Sequence, residues 1–326
     1  TAQENFRFFK HDHAASITLT GQYVLRSIEN SIDAVLNETF GTQDIKYLIY
    51  IDTDSLYFTF DALFKKYGVT EDKAIKTIEK LSIEKITPLV NKICDECCLK
   101  MNSFENKLSF KLEVAASKSI WIAKKKYALR VHSSEGVTYE KPKFKAKGLE
   151  MVRSSTPQFV RDKLKRALDI IFDTDEQSVQ DYISSVYTEF MQLPYNQVAF
   201  PRGANNLEEY ADTGSNSNAI YTKGTPIQVR GVLLYNHYLK SMKLDGKYPI
   251  IGEGEKIKFL YLKMPNRFKE NVIAFPTEGV LPKEFKLNQY IDFEMQFEKT
   301  FLSSMKIILD AINWQAIETS SLEEFF

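Results

Sequence analysis

Two aspartates separated by one residue lie between two strand-like runs, and their side chains have the clearest chemical potential in the chain. Asp52 and Asp54 flank Thr53, and residues 45–51 and 55–60 are rich in β-branched and aromatic residues. This pattern predicts a β-hairpin with both carboxylates at its tip. Mg²⁺ prefers such oxygen ligands and usually accompanies substrates that carry phosphate. The alternative is an acidic turn without a metal, because Asp is common in turns.

The residues around this pair resemble a known family. Residues 50–57 read Tyr-Ile-Asp-Thr-Asp-Ser-Leu-Tyr and resemble the catalytic hairpin of family B DNA polymerases, usually Tyr-Gly-Asp-Thr-Asp-Ser. The resemblance continues in order along the chain, which is most similar to the C-terminal part of polymerases of the T-even phage type. Ile51 stands where the family commonly has Gly. Because side chains alternate along a strand, we expect Ile51 to point away from Asp52 and to pack against apolar neighbours.

The resemblance implies a reaction and its cofactor. Family B polymerases join a dNTP to the 3′-hydroxyl of a primer, with two Mg²⁺ ions at the attacking and leaving oxygens. By resemblance Asp54 would bridge these ions, and Asp52 would be a weaker or indirect ligand. Glu113 could supply an accessory carboxylate, because it falls in a strand predicted around Leu108–Ala115. A surface or capping role for Glu113 is the alternative.

Helices are predicted on both sides of the hairpin. Apolar residues recur at helical spacing between Asp12 and Asn37, and Gly41 is predicted to end this helix. Residues 14–22 are similar to the helix that precedes the hairpin in the family, although many members carry Arg where Gln22 stands. Residues 70–101 predict a second long helix, kinked at Pro88.

Positive charge is concentrated in one part of a neutral chain. The formal net charge is zero, but residues 118–166 contain fourteen Lys and Arg against four acidic residues, a local net charge of +10. Such a band is typical of a protein that grips a phosphate-rich ligand along one surface. A solvated charged face is the alternative.

A lysine run within this band resembles a primer-binding segment. Lys124, Lys125, Lys126 and Tyr127 lie in a strand predicted over residues 119–131, where alternation would place Lys125 and Tyr127 on one face. The run resembles the family's Lys-Lys-Arg-Tyr segment, which contacts the primer end; the arginine is Lys126 here, so a bidentate phosphate contact would be lost. Lysine runs on a surface without function are the alternative.

The basic band includes residues 141–157, which are similar to the palm-to-thumb junction of the same polymerases. In that junction, Lys and Arg hold the DNA backbone. The lysines of this segment alternate along an extended stretch, and Thr156-Pro157 predicts a helix start with Thr156 as N-cap. That helix is predicted to run to about Phe172, and a second to about residue 193; residues 203–224 predict a polar loop and residues 247–300 mixed strands and turns. The candidate DNA contacts here are Lys145, Lys147 and Arg153.

The end of the chain predicts a protein contact. Leu322, Phe325 and Phe326 would form one apolar face on a helical turn, and two exposed phenylalanines are unfavourable unless they enter a pocket. The pattern resembles the sliding-clamp tail of replicative polymerases, although the Gln often found upstream is Thr319 here. A C-terminal helix that folds back onto its own domain is the alternative.

The composition indicates a folded protein large enough for two domains, with 326 residues of which 44% are hydrophobic. No apolar run approaches the length of a membrane span, and no secretory signal opens the sequence. Cys94, Cys97 and Cys98 include a Cys-x-x-Cys pair, but no second pair or nearby His completes a zinc site. Buried or incidental thiols are therefore favoured over a zinc site.

These features predict an α+β fold. Residues 1–148 would form the C-terminal half of the polymerase palm, with an antiparallel sheet and packed helices, and residues 149–326 a mainly helical thumb with a small β region and the clamp-binding tail. The family's other catalytic Asp and its nucleotide-gripping helix do not occur in this sequence, which begins with Thr. We therefore expect an incomplete active site that needs an N-terminal polymerase portion, either a separate polypeptide or a part that was removed.

The predicted partners are primer–template DNA, dNTP, this N-terminal portion and a sliding clamp, in the cytoplasm of an infected bacterial host and without a membrane. Two other function classes remain open. One is a module that binds duplex DNA and tethers it to the clamp without contributing to catalysis. The other is a self-sufficient Mg²⁺-dependent nuclease that uses Asp52 and Asp54.

Overall fold

The computed structural model describes residues 3–212 and 219–317. In these residues, helices are combined with three small antiparallel sheets, which confirms the predicted α+β class. Within the described residues the chain forms two compact units, one from residues 3–119 and 129–145 and the other from 120–128, 146–212 and 219–317. In this part of the chain, no helix combines the length and apolar character needed to cross a membrane.

The first unit is built around one long helix. Its elements are α1 (His11–Phe40), β1 (Leu48–Asp52), β2 (Ser55–Phe58), α2 (Asp61–Tyr67), α3 (Glu71–Leu81), a π-helical turn (Ser82–Ile86) and α4 (Thr87–Lys100). The helix predicted over residues 12–37 is therefore confirmed, with the addition of one turn at its end. Gly41 ends α1 at φ +59° and donates its N–H to carbonyls of the last turn, a conformation that glycine adopts without strain.

The core of this unit comes from residues four apart on α1. Val24, Ile28, Ile32 and Leu36 are buried on one face of the helix, as the apolar spacing predicts. They pack in one cluster with Tyr47, which precedes β1, and with apolar residues of β1, α2 and α4, including Leu48, Leu63, Val90, Cys94 and Cys97. This cluster fixes the hairpin to the long helix.

The helix predicted over residues 70–101 departs from α-helical geometry just before Pro88, and not at Pro88 itself. The π-helical turn Ser82–Ile86 joins α3 to α4, and the N–H of Thr87 donates to the carbonyl of Ser82, five residues back. Pro88 has no N–H for the carbonyl four residues earlier, so a wider turn at this position is a direct consequence. The buried thiols lie on α4, where burial raises the pKa of Cys94 to about 11.

A second sheet has the strand order β3-β4-β5, with β3 at Val114–Ala123, β4 at Lys126–Ser134 and β5 at Val137–Lys147. Two sequence predictions are wrong here. Residues 108–113 lie outside the strand, which begins only at Val114. The strand predicted over residues 119–131 is interrupted by a two-residue turn at Lys124-Lys125. Lys125 adopts φ +62°, a turn conformation that a strand pattern read from side chains does not reveal.

The second unit contains two packed helices followed by a helix-covered sheet. Its elements are a 3₁₀ turn (Glu150–Val152), α5 (Gln158–Asp173), α6 (Glu176–Phe190), α7 (Tyr195–Val198), β6 (Phe200–Gly203), α8 (Leu207–Tyr210), α9 (Ile227–Ser241), β7 (Lys256–Tyr261), β8 (Val272–Pro276), α10 (Phe293–Phe297) and α11 (Ser303–Asp310). The sheet order is β6-β7-β8. Gly231 packs α9 closely on β8, since a Cβ there would lie 3.0 Å from the Ala274 nitrogen.

Two further predictions are corrected in this unit. Thr156 is not the N-cap of α5; Pro157 occupies that position, and the Thr156 hydroxyl instead donates to Glu150 Oε2 at 3.0 Å. The mixed strands and turns predicted for residues 247–300 give way to helical structure from Phe293 onward. There the Asp292 side chain caps α10 by accepting from the Met295 N–H at 3.0 Å.

Candidate functional site

The predicted hairpin is present, and a bulge sets the direction of its side chains. Strands β1 and β2 pair antiparallel, with Asp52 opposite Ser55 and Ile51 opposite Leu56, and the register shifts at Ile49. Because of this bulge, Leu48 and Ile51 both face the apolar cluster although they are three residues apart. The expected packing of Ile51 away from Asp52 is thereby confirmed.

The two aspartates lie in different environments at the hairpin tip. Asp52 is only 7% exposed, and its Oδ1 accepts hydrogen bonds from the Thr53 N–H at 3.0 Å and the Thr53 hydroxyl at 3.2 Å. Asp54 is exposed in the two-residue connection to β2. One carboxylate is thus held by its neighbour, while the other is directed to solvent, where it could contact an ion or a substrate.

Polar side chains on α1 hold the start of β1. Asp33 Oδ1 accepts from the backbone N–H groups of Tyr47 at 3.0 Å and Leu48 at 2.9 Å. Asn37 bonds both the carbonyl and the N–H of Ile45. Sequence reasoning missed both residues as positioning groups for the hairpin. The available signal was the occurrence of Asp and Asn on a helix whose other inward residues are apolar.

Glu113 lies just before β3 and is exposed, and its backbone carbonyl accepts from the Glu135 N–H at 2.7 Å. Within residues 3–212 and 219–317, no group of three or more His, Cys, Asp or Glu side chains is arranged to hold a metal ion. The hairpin therefore offers a pair of carboxylates, and the structure brings no third one from the described chain to it.

The lysine run is divided between a turn and a strand. Lys124 and Lys125 are exposed at the β3–β4 turn, and Lys126 begins β4. Tyr127 is 2% exposed, with its ring 4.8 Å from the ring of Trp121. The predicted common face of Lys125 and Tyr127 is therefore wrong. Tyr127 packs in the interior, whereas the two lysines of the turn are exposed.

The lysines of β5 lie along a sheet edge. Lys141, Lys143, Lys145 and Lys147 alternate along the strand and are all exposed. Strand β5 is last in the order β3-β4-β5 and contains Pro142, which cannot donate to a neighbouring strand. Lysine and proline at an edge also prevent unwanted pairing between sheets. The row therefore suits a phosphate backbone and protects the edge at the same time.

Arg153 belongs to a polar network after β5. Its guanidinium pairs with Glu150 Oε1 at 3.0 Å, while Glu150 Oε2 accepts from Thr156. Arg202 donates to the carbonyl of Ser155 at 2.5 Å; burial lowers the pKa of its guanidinium, and the charge of Glu150 opposes that shift. The network fixes the segment's backbone, and Glu150 and Arg202 were not identified from the sequence.

The predicted clamp-binding residues Leu322, Phe325 and Phe326 lie outside the described residues, which end at 317.

Comparison with known proteins gives a consistent family match. The family model described as DNA polymerase family B matches residues 1–300. The chain is 30% identical over 336 aligned positions to a DNA-directed DNA polymerase of Enterobacteria phage T4, and 31% identical over 335 to one of Escherichia phage RB69. These alignments cover 99% and 98% of the chain, but the chain spans only 36% of the length of either relative.

Proposed function

Because this chain belongs to DNA polymerase family B, we propose that it is the C-terminal portion of a replicative DNA-directed DNA polymerase. It would supply the Asp52-Thr53-Asp54 hairpin, contacts to the primer–template backbone and a sliding-clamp tail. The observation that carries the proposal is the hairpin itself, with an exposed Asp54 at its tip in a chain that matches the family along most of its length.

The reaction proposed for the completed enzyme is attack of the primer 3′-hydroxyl on the α-phosphate of a dNTP. Bound Mg²⁺ ions would lower the barrier by stabilising charge on the attacking and leaving oxygens. The exposed carboxylate of Asp54 suits direct coordination. Asp52 suits a weaker or indirect role, because one of its oxygens already accepts two hydrogen bonds from Thr53. The structure does not bring Glu113 to the Asp52–Asp54 pair, so its proposed role as an accessory carboxylate applies only to the completed enzyme.

The proposed DNA contacts come from exposed lysines at two places. The turn residues Lys124 and Lys125 would meet the primer strand, and Lys145 and Lys147 on β5 would follow the backbone. Their charge neutralises phosphate without reading bases, so binding should depend weakly on sequence. Arg153 would contribute less to DNA binding, since it is already paired with Glu150. Lys126 would also contribute less. Tyr127 would support the turn from the interior.

An N-terminal polymerase portion is the proposed partner that completes the active site. Ile17 is 64% exposed on the helical face that carries the buried Val24, seven residues on, and a Cβ at Gly21 between them would meet nothing within 4 Å. Leu19 and Tyr23 are also exposed, on another side of the same helix. We call the helical face that carries Ile17 and Gly21 the open face of α1. An exposed apolar face that continues a buried face of the same helix is typical of an interaction surface.

The relatives' length supports this choice of partner, because they contain a large part that the chain does not cover. Their phage origin supports a site of action in the cytoplasm of an infected bacterium.

The direct test is primer extension with Mg²⁺ and four dNTPs, using the chain alone and mixed with a polymerase segment that ends just before residue 1. We expect synthesis only in the mixture. Synthesis by the chain alone would contradict the incomplete active site. DNA cleavage by the chain alone would favour the nuclease alternative.

Lys125→Ala tests the backbone contact. Loss of one phosphate contact should reduce the slope of log affinity for primer–template DNA against log salt by about 0.9. The measurement is fluorescence anisotropy over a salt series, with Lys240→Ala on α9 as a control for overall charge. An unchanged slope for Lys125→Ala would place this lysine away from phosphate.

Deletion of Leu322–Phe326 tests the tail. Synthesis by the completed enzyme without a clamp should stay unchanged, while stimulation by the clamp should be lost. Extension of a long primed template with and without clamp gives both values. An equal loss in the two assays would indicate that the tail packs on its own domain.

A further inference from the structure

The turn that carries Lys124 and Lys125 lies directly against Gly148, the residue that follows β5. A Cβ built on Gly148 would lie 2.2 Å from the Lys125 carbonyl oxygen and 3.1 Å from Lys126 Cγ. The first distance is far inside van der Waals contact and involves backbone, which cannot rotate away as a side chain could. Only a residue without a side chain allows this approach.

The conformation of Gly148 adds a second requirement. Its φ is +70°, where residues with a Cβ are strained, and Lys125 opposite it has φ +62°. Two backbone segments in left-handed conformations therefore meet at one point. The orientation of the lysine turn is set by this contact as well as by the pairing of β3 with β4.

The segment behind Gly148 is firmly held. Leu149 and Met151 are buried, Glu150 pairs with Arg153 and bonds Thr156, and the Ser155 carbonyl accepts from Arg202. A fixed segment that touches the turn through bare backbone can transmit its position to that turn.

We propose that Gly148 is a positioning residue for nucleic-acid binding, which holds the Lys124-Lys125 turn in the orientation that meets the phosphate backbone. The inference rests on the proposed function, since it assigns a cause to the geometry of a proposed DNA contact. Gly148 itself touches no substrate. Its effect on binding therefore has to pass through the two lysines.

The test compares Gly148→Ala with Gly136→Ala in two backgrounds, the unaltered chain and the Lys124→Ala/Lys125→Ala chain. Gly136 is a matched control, because its φ is +81° but a Cβ there meets nothing within 4 Å. Both variants thus carry similar backbone strain, and only Gly148→Ala disturbs the lysine turn. Affinity for a primer–template duplex is measured over a salt series, and folding is checked by circular dichroism.

In the unaltered background, Gly148→Ala should weaken duplex binding about tenfold near 0.1 M salt. It should also reduce the slope of log affinity against log salt by the amount expected for the loss of about one to two phosphate contacts. Gly136→Ala should change neither. In the Lys124→Ala/Lys125→Ala background, Gly148→Ala should have no further effect on affinity. An equal loss in both backgrounds would show general damage to the fold and overturn the proposal, as would Gly148→Ala behaving like Gly136→Ala.

If Gly148→Ala lowers the folded fraction, Leu149→Ala takes its place, because it loosens the same segment without adding an atom at the contact. The same dependence on the two lysines is expected, and a loss independent of them overturns the proposal. The first case is that the unaltered chain binds duplex, the Lys124→Ala/Lys125→Ala chain binds it weakly, and Gly148→Ala has no effect. In that case only the positioning role fails. If the unaltered chain binds no duplex, both fail.

Discussion

Asp54→Asn in the completed enzyme is expected to lower nucleotide incorporation by about 10³-fold or more and to leave duplex affinity within about twofold. Asn has the shape of Asp but no charge, so the hairpin keeps its form while the proposed metal ligand is lost. Because Asp54 is exposed at the tip, the change should alter the free energy of unfolding by less than about 0.5 kcal/mol, as surface substitutions usually do.

Asp44→Asn is the matched control for this experiment. Asp44 is also exposed and lies in the same unit, and its φ of +55° is a conformation that Asn tolerates well. Single-turnover incorporation and duplex binding should be measured for both variants. Unchanged incorporation in Asp54→Asn would contradict the catalytic assignment and favour the DNA-binding and clamp-tethering module. Loss of both incorporation and binding would indicate that the hairpin contributes to holding DNA.

Ile17→Asp is expected to prevent the N-terminal portion from completing the enzyme at concentrations where the unaltered chain is saturated. Burying an isoleucine contributes roughly 2 kcal/mol, and an unpaired carboxylate in the same place adds a desolvation cost. A loss of 2 kcal/mol corresponds to about a 30-fold weaker Kd. Titration of the N-terminal portion in primer extension should therefore show a midpoint shifted by at least that factor, with activity partly recovered at high concentration.

Ile83→Asp provides the comparison, because Ile83 is 66% exposed in the same unit but lies on the π-helical turn rather than on the open face of α1. It should shift the midpoint little. Equal shifts for the two variants would show a non-specific effect of the added charge. No shift for Ile17→Asp would mean that the open face of α1 is not where the partner binds.

Local patterns in the sequence were sufficient for the elements whose structure depends on near neighbours. The apolar spacing of α1 and the glycine that ends it predicted both the helix and its buried face. The two strand-like runs around Asp52-Thr53-Asp54 predicted the hairpin, and its residues also carried the family resemblance that the comparisons confirm. These signals are readable because periodicity and turn chemistry act within a few residues.

Only the tertiary structure determined how these parts are oriented. The bulge at Ile49 sets which face of β1 is buried, Asp33 of α1 holds the start of that strand, and Tyr127 turns inward onto Trp121. The close contact of Gly148 with Lys125 likewise joins segments that are distant in sequence. No local pattern encodes such contacts, because each depends on which backbone surfaces meet after the chain has packed.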